Sequence, residues 1–329
     1  MKRDTPVITG TGFAVPEQVW DNHRLEQMVD TSDEWIQSRT GIVTRRIAAD
    51  GETTATLGAA AAREAIEDAG VSVRDIDVII VATMTPDMPF PATACFVQNL
   101  IGAKNVAAFD ISAACTGFVY GIGIAQAMVA SGMANHILLI GTEVLSRITD
   151  WTDRNTCVLF GDGAGAAVIS REGTGAKIID TIIHADGGSA NLLYMPGGGV
   201  RHPASEKTLR DRLHYIKMTG KGLYKEATTS MAGAVEEILK KNGLTVADMD
   251  LLIPHQANLR IILSTAKKLD ISPEKTYVNI QRYGNTSAAT IPIAMAEAQR
   301  EGRITPPMNV VLTAFGSGMT WGAALLRYE

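Results

Sequence analysis

The stretch EAIEDAGVSVRDIDVIIVA at residues 64–82 has a second copy, EILKKNGLTVADMDLLIPH, at residues 237–255. Each copy has an amphipathic helical pattern that ends at a glycine, followed by a short polar turn and an apolar run of strand length. Gly70 and Gly243 occupy the same place in the two copies, 173 residues apart (243 − 70). This similarity predicts that one helix–strand unit occurs twice in the fold.

A second pair of segments extends the repeat. CTGFVYGIGIAQAMVASG (115–132) and NTSAATIPIAMAEAQREG (285–302) are 170 residues apart (285 − 115), and both have the small-residue pattern of closely packed helices. Strand-like runs flank both predicted helices, at residues 106–111, 137–140, 276–280 and 310–313.

Two glycine-rich motifs, FGDG at residues 160–163 and FGSG at residues 315–318, form a third correspondence. Three correspondences in the same order predict two similar halves, residues 1–172 and 173–329. Because strands and helices alternate in each half, we expect an α/β fold with mostly parallel sheets covered by helices.

The composition is that of a globular protein with an aliphatic core, since 46% of the residues are hydrophobic and only 5% are aromatic. The net charge of −5 argues against a general affinity for nucleic acids or anionic membranes. The apolar runs are too short for a membrane span, and the N-terminal segment lacks the apolar run of a signal peptide. We therefore expect a cytoplasmic protein. Its three cysteines have no metal-binding spacing and are expected to be free thiols.

Cys115 is the cysteine that the repeat singles out as a nucleophile. It lies at the predicted start of a helix, at the position that matches Asn285, and a helix N-terminus is expected to lower the thiol pKa and favour the thiolate. The alternative is a small buried cysteine that fills a corner between a helix and a strand. Cys95 is predicted to lie in the core within a helix, and Cys157 in the core within a strand.

His255 follows the second copy of the repeated strand, in LLIPHQANLR. In α/β folds the carboxyl end of a strand is where catalytic groups are exposed, although a histidine there can also simply hydrogen-bond a loop. Asn285 can donate hydrogen bonds through its amide or cap the following helix. The backbone N–H groups of the FGSG turn are suited to binding an oxyanion.

Several motifs together resemble the β-ketoacyl-[acyl-carrier-protein] synthase III family. They run in order along nearly the whole chain. Elongating synthases have a second histidine in place of Asn285, and thiolases need a second cysteine where Phe315 stands, so these relatives fit less well. The matching motifs are TSDEWIQSRTGIVTRR at 31–46, AACTGFVYG around Cys115, GDGAGA at 161–166, IPHQANLRI around His255, YGNTSAATIP around Asn285 and FGSGMTWG at 315–322.

The resemblance implies a thiolase-type fold, in which duplicated halves form a five-layer αβαβα sandwich, usually in a homodimer. It implies Cys115 as the nucleophile, His255 and Asn285 as the rest of a catalytic triad, and the backbone N–H groups of Cys115 and Ser317 as the oxyanion hole. Cys115 would take the acyl group of acyl-CoA, with acetyl-CoA as the expected primer. Malonyl-acyl-carrier-protein would then lose CO₂ and condense with that acyl group, initiating fatty acid synthesis.

The implied reaction uses no metal and no cofactor, because acyl-CoA is a substrate. The alternative is a specialised synthase of secondary metabolism, or an enzyme that takes malonyl-CoA as the extender. The resemblance also implies a set of contacts for coenzyme A, for which the alternatives are a core anchor at Trp35 and a solvated charge at Arg39. The implied contacts are Trp35, Arg39, Arg154, Gly220, Tyr224 and Asn258.

A basic surface for the acidic carrier protein is implied as well, and complementary charge of this kind steers association. Phe90 matches a residue that reaches across the dimer to cap the acyl pocket. Two departures from the family pattern are Ser317, where many members have glycine, and Tyr224, where others have phenylalanine. The implied carrier-protein contacts are Lys225, Gln256, Ala257, Asn258, Leu259, Arg260, Lys267 and Lys268.

Overall fold

The structure is a computed structural model that describes residues 5–329, apart from the side chain of Lys221. The strands are β1 (Val7–Ala14), β2 (Val19–Asp21), β3 (Thr44–Arg46), β4 (Val78–Ala82), β5 (Ala107–Ile111), β6 (His136–Val144), β7 (Asp162–Ser170), β8 (Ala176–Ala185), β9 (Leu193–Tyr194), β10 (Lys217–Met218), β11 (Leu251–Pro254), β12 (Met308–Gly316) and β13 (Thr320–Tyr328). The α-helices are α1 (Asn22–Glu26), α2 (Asp33–Thr40), α3 (Thr54–Asp68), α4 (Thr93–Ile101), α5 (Gly117–Ala130), α6 (Arg154–Cys157), α7 (Glu206–Arg210), α8 (Gly220–Lys241), α9 (Leu259–Lys268), α10 (Ile280–Tyr283) and α11 (Thr290–Arg300).

The repeated stretch forms the same local structure twice, as its sequence predicts. In the first half α3 leads to β4, and in the second half α8 leads to β11. Gly70 and Gly243 follow the two helices with φ of 64° and 70°, a left-handed conformation that glycine adopts without steric cost. Asp75 and Asp248 each close a capping box on the short turn before the strand.

The strand order confirms the duplication. In the first half the order is β1-β7-β6-β4-β5, and in the second it is β8-β13-β12-β11. In both halves the first strand pairs antiparallel with the last, the last pairs antiparallel with the one before it, and the remaining pairs are parallel. Two residue pairs between β1 and β8, Val7 with Lys177 and Ile8 with Ala176, join the two sheets at one corner.

The predicted strand over residues 276–280 is wrong, because the structure forms only one bridge there, between Leu252 and Thr276. The side chain of Gln256 takes the place of strand pairing. Its Nε2 donates to the carbonyl oxygens of Pro254 and Tyr277, and its Oε1 accepts from the backbone N–H of Asn279. A side chain therefore satisfies backbone groups that a fifth strand would otherwise pair.

The layers follow from which faces the helices cover. Helix α5 packs against β6 and β4 of the first sheet and against β8 and β13 of the second, and α11 packs against β7, β1 and β11. These two helices therefore form the central layer, and their apolar side chains share one core with both sheets. Helices α3 and α4 cover the outer face of the first sheet, and α8 covers that of the second. The five-layer αβαβα arrangement is confirmed.

The boundary between residues 172 and 173 lies in the turn between β7 and β8, and as a domain boundary it stays a prediction. Among the helices of residues 5–329, none combines the length and the apolar character needed to cross a bilayer.

Candidate active site

Cys115 lies between the end of β5 and the start of α5, in a short 3-10 turn over Ala114–Thr116. The turn begins with Ala114 at a φ of 47°, a strained value for a residue with a side chain. Cys115 is buried, and burial raises the pKa of its thiol to about 12. The expectation of a resting thiolate was therefore wrong, because loss of hydration outweighs the helix N-terminus. The nucleophile needs an acceptor for its proton.

The two other cysteines correct the sequence interpretation in different ways. Cys95 is exposed on α4, although the apolar pattern around it predicts a core position. Cys157 is buried as predicted, but it ends the short helix α6 and does not lie in a strand.

The second half contains a matching 3-10 turn over Ser287–Ala289, directly before α11. Ser287 has a φ of 49°, close to that of Ala114, and both the two turns and the two helices are 173 residues apart (114 to 287, 117 to 290). The predicted offset of 170 was therefore three residues short. Ser287 is the structural counterpart of Ala114, and Asn285 lies two residues before that position.

His255 follows β11 and is buried. Its backbone N–H donates to the carbonyl oxygen of Thr313, which fixes the chain at this point. Its Nδ1 lies 2.6 Å from the hydroxyl oxygen of Thr290, whose one hydrogen has a second acceptor, the carbonyl oxygen of Ser287, at 2.9 Å. Burial lowers the pKa of His255 to about 3, so its imidazole is neutral and a poor proton acceptor.

Asn285 is held by hydrogen bonds that leave its amide nitrogen for other work. Its backbone N–H donates to the carbonyl oxygen of Leu159, and its own carbonyl oxygen accepts from Gly161. Its Oδ1 accepts from the backbone N–H of Ser287 at 2.8 Å. Helix α11 begins at Thr290 with no side-chain cap, so Asn285 is not its N-cap. The Nδ2 group is the part of Asn285 that can donate into the cavity beside it.

The end of β12 lies directly against the turn of Cys115. A Cβ atom at Gly316 would lie 2.9 Å from the backbone nitrogen of Cys115 and 3.0 Å from that of Thr116. Glycine is therefore required for this approach. Ser317 follows with a backbone outside the left-handed region, and its hydroxyl donates to the carbonyl oxygen of Leu193. Serine in place of the more usual glycine thus introduces no backbone strain, while the N–H pair of the oxyanion hole stays a prediction.

Two cavities meet at Cys115. The first, of about 460 Å³, is lined by Cys115, His255 and Asn285 and extends to Trp35 and Arg39. The second, of about 300 Å³, is lined by Cys115 and mostly apolar side chains; among these are Met84, Ile148, Phe160, Leu193 and Ile216. The thiol therefore lies at the junction of a long cavity with a polar inner end and a smaller apolar cavity.

Most of the predicted coenzyme A residues lie along the first cavity. The exception is Arg154, whose guanidinium lies over the ring of Trp35, 4.0 Å from its centre. The amide of Asn258 donates to the carbonyl oxygen of Arg39 and so ties the end of α2 to the start of α9. The predicted residues that line the cavity are Trp35, Arg39, Gly220, Tyr224 and Asn258.

The predicted carrier-protein surface is partly wrong. Gln256 is buried and its amide is used within the chain, so it offers no group to a partner. Leu259 is only partly exposed and packs against Gly41. Four cationic side chains are exposed on α8 and α9 near the mouth of the first cavity; they are Lys225, Arg260, Lys267 and Lys268.

Phe90 lines neither cavity of the single chain and is 82% exposed. Its predicted role as a cap of the acyl pocket therefore requires a second copy of the chain.

Sequence reasoning missed three residues beside Cys115. Thr290 holds His255, Ser287 is the hydroxyl nearest the thiol, and Glu143 is a buried carboxylate at the end of β6. One signal pointed to Glu143, since it is the single charged side chain within the apolar strand HILLIGTEV. Nothing local distinguishes Thr290 or Ser287 from other small polar residues in helices and turns.

Comparison with known proteins gives a consistent result. The family model for 3-oxoacyl-[acyl-carrier-protein (ACP)] synthase III matches residues 109–187, and the model for the C terminal of that family matches residues 239–328. A β-ketoacyl-[acyl-carrier-protein] synthase III of Symbiobacterium thermophilum is 52% identical over 98% of this chain and 97% of its own length. One from Caldanaerobacter subterraneus is 51% identical over the same shares of the two chains, 98% and 97%.

A solved structure gives the same result for the fold. The crystal structure of 3-oxoacyl-[acyl-carrier-protein] synthase III from Aquifex aeolicus superimposes with a TM-score of 0.90 at 49% identity. The match covers 98% of this chain and 100% of that one.

Proposed function

The chain belongs to the β-ketoacyl-[acyl-carrier-protein] synthase III family, and from this membership we propose that it condenses an acyl-CoA primer with malonyl-acyl-carrier-protein through an acyl group held on Cys115. It is a condensing acyltransferase of fatty acid synthesis, and acetyl-CoA is the expected primer. The observation that carries the proposal is the position of Cys115 at the junction of the two cavities, with His255 and Asn285 beside it.

In the first half-reaction the sulfur of Cys115 attacks the thioester carbonyl of acyl-CoA. The oxyanion that forms is stabilised by the backbone N–H groups of Cys115 and Ser317. Coenzyme A leaves and the acyl group stays on the sulfur, extending into the apolar cavity. The long first cavity is then open to the second substrate.

In the second half-reaction malonyl-acyl-carrier-protein loses CO₂, and the resulting enolate attacks the acyl group on Cys115. Two neutral donors stabilise the enolate oxygen: Nε2–H of His255 and the amide of Asn285. His255 has this tautomer when the hydroxyl of Thr290 donates to its Nδ1. The low pKa of about 3 keeps the imidazole neutral throughout, which suits a hydrogen-bond donor better than a proton acceptor.

Coenzyme A binds along the outer part of the first cavity. Arg154 and Trp35 already stack on one another, which supports a site where a flat adenine ring meets an indole and a guanidinium. Arg39 lies one helical turn after Trp35 and is placed to meet a phosphate.

Trp35→Ala is expected to raise KM for acyl-CoA about tenfold, because stacking on one base contributes about 1–3 kcal/mol. Arg39→Ala is expected to act similarly through the lost phosphate contact. Initial rates at varied acyl-CoA and at varied malonyl-acyl-carrier-protein measure both effects. Trp35→Phe is the matched control, since it keeps an aromatic face and should change KM less. Equal increases of KM for both substrates would favour a packing role for Trp35.

The exposed cations of α8 and α9 are the proposed docking surface for the acidic carrier protein. Arg260 and Lys267 are seven residues apart and so lie on one face of α9, and exposed Leu263 lies between them. Lys225 extends this face onto α8, which packs against α9. A basic face around an apolar centre suits the approach of an acidic partner to the mouth of the first cavity.

We propose a cytoplasmic homodimer. Two features of the single chain support a second copy: the unpaired edge strand β5 and the exposed side chain of Phe90. A second copy that covers this edge would bring its Phe90 towards the apolar cavity, whose lining includes Met84, six residues before Phe90.

Condensation assays with acetyl-CoA and each of the two malonyl donors test the proposal directly. We expect product with malonyl-acyl-carrier-protein and a far lower rate with malonyl-CoA at equal concentration. Product with malonyl-CoA alone would favour the alternative, an enzyme with a CoA-linked extender. No product with the carrier-linked donor would contradict the proposal.

A further inference from the structure

Glu143 is a fully buried carboxylate that the reaction described above does not use. It lies at the end of β6 and forms no salt bridge among residues 5–329. Most donors lie on one oxygen: Oε2 accepts from the hydroxyls of Thr83 and Thr85, at 3.1 and 2.5 Å, and from the backbone N–H of Thr85 at 3.1 Å. The N–H of Met84 is shared between Oε2, at 3.2 Å, and Oε1, at 3.3 Å. Oε1 therefore keeps room for another partner.

Ser287 lies between this carboxylate and the nucleophile. Its hydroxyl is close enough to stabilise the anionic forms of both Cys115 and Glu143, although neither meets full hydrogen-bond geometry in the resting protein. Its backbone is held in place on both sides, by Oδ1 of Asn285 and by the hydroxyl of Thr290. The left-handed φ of 49° is thus imposed by neighbours that belong to the active site.

The thiol proton has two possible acceptors nearby, and their basicity distinguishes them. His255, with a pKa of about 3, is too weak a base to hold a proton near neutral pH. Burial raises the pKa of Glu143 to about 7, against the opposing hydrogen bonds from Thr85 and Met84. At neutral pH its carboxylate is therefore a stronger base by about four pKa units, and the buried acid is stable once it forms.

We propose that Glu143 takes the proton of the Cys115 thiol, through the hydroxyl of Ser287, and holds it for as long as Cys115 carries the acyl group. This inference rests on the proposed function. When the sulfur bonds to the thioester carbon, the thiol proton passes to Oγ of Ser287, and the proton of that hydroxyl passes to Glu143. Coenzyme A leaves as a thiolate and takes a proton from solvent. Glu143 acts through Ser287 and is therefore a positioning residue for the proton.

The second half-reaction returns the proton. The enolate attacks the acyl group, the bond between the carbonyl carbon and the sulfur of Cys115 breaks, and the thiolate recovers its proton from Glu143 along the same path. One solvent proton is consumed per turnover, as the release of neutral CO₂ from a malonyl carboxylate requires. A protonated Glu143 also removes a negative charge from beside the site while the enolate forms, which favours that anion.

The groups packed around Glu143 leave one titratable neighbour. They are the uncharged turn of Thr83, Met84 and Thr85, the paired residue Gly163 on β7, the turn of Ser287, and Cys115 itself. Below a pH of about 7 Glu143 already carries a proton and cannot accept another. Acylation of Cys115 is therefore expected to slow as the pH falls through about 7.

The test is a count of protons during acylation with acyl-CoA alone, without any malonyl donor. A pH indicator in weakly buffered solution records proton uptake in a stopped-flow instrument, and mass spectrometry counts the acylated sites. At about pH 7.5 we expect uptake of about 0.7 proton per acylated site. This number follows because about three quarters of Glu143 starts ionised, and the free thiol of coenzyme A, with a pKa of about 8.5, is mostly protonated.

Glu143→Gln is expected to reduce the uptake to about zero, to slow acylation at least tenfold, and to remove its fall below pH 7. Ser287→Ala should do the same by interrupting the path while keeping the carboxylate. Asp162→Asn is the matched control, since Asp162 is also buried and bonded to a serine, Ser146, and should keep the wild-type count.

Wild-type acylation without proton uptake would overturn the inference by itself, whether or not the variants fold. An unchanged count in Glu143→Gln would overturn it too, and would assign the proton to another group. If Cys115 took up no acyl group at all, the proposed function would have failed instead, so the two failures are distinguishable.

Discussion

Cys115→Ala is expected to lower the rate of condensation by at least about 10³-fold, because no other group at the junction of the two cavities can form the acyl intermediate. The fold should survive, since removing one buried sulfur costs about 1 kcal/mol of stability. Decarboxylation of malonyl-acyl-carrier-protein should continue in this variant, because His255 and Asn285 are intact. Rates of product formation and of CO₂ release, measured separately, check both statements.

Cys95→Ala is the matched control for this experiment. Cys95 is the exposed thiol and the one most open to adventitious acylation, so its removal should leave condensation unchanged. Mass spectrometry of peptides should find the acyl group on Cys115 in both the wild type and Cys95→Ala. Unchanged condensation in Cys115→Ala would disprove the nucleophile assignment.

His255→Ala and Asn285→Ala are expected to reduce condensation by about 10²–10³-fold each while Cys115 is still acylated. The reason is that both side chains donate to the enolate oxygen, which exists only in the second half-reaction. The low pKa of His255, about 3, argues in the same direction, since a group that does not accept protons at neutral pH is not needed as the base for acylation. Mass spectrometry after exposure to acyl-CoA, with CO₂ release measured in parallel, separates the two half-reactions.

Asn285→Asp sharpens this test. An aspartate keeps the oxygen that accepts from the backbone N–H of Ser287, so the turn before α11 stays in place. Its negative charge, however, repels the enolate, and the loss of condensation should equal or exceed that of Asn285→Ala. Loss of acylation in both alanine variants would contradict the division between the two half-reactions. Full condensation in Asn285→Asp would show that the amide donates nothing to the enolate.

The sequence by itself determined the duplicated topology, because the signals are local. Gly70 and Gly243 end the matching helices, and Asp75 and Asp248 cap the matching turns, whatever the rest of the chain does. The motifs around Cys115 and His255 likewise identified the family without coordinates.

Where a segment depends on a distant partner, the local signal was insufficient. The strand predicted over residues 276–280 is reduced to one bridge because the side chain of Gln256 occupies the backbone groups of Tyr277 and Asn279. The same hydrogen bonds bury Gln256 and remove it from the carrier-protein surface. Cys95 shows the reverse case, since an apolar neighbourhood in sequence did not place its side chain inside.

Only the tertiary structure decided the protonation chemistry of the site. The pKa of Cys115 is raised and that of His255 lowered by burial, and burial depends on strands and helices from both halves. Glu143, Ser287 and Cys115 come from three separate segments, and no spacing in the sequence relates them. The nucleophile could be read from its motif, but the path of its proton depends on distances that exist only once the two halves have packed together.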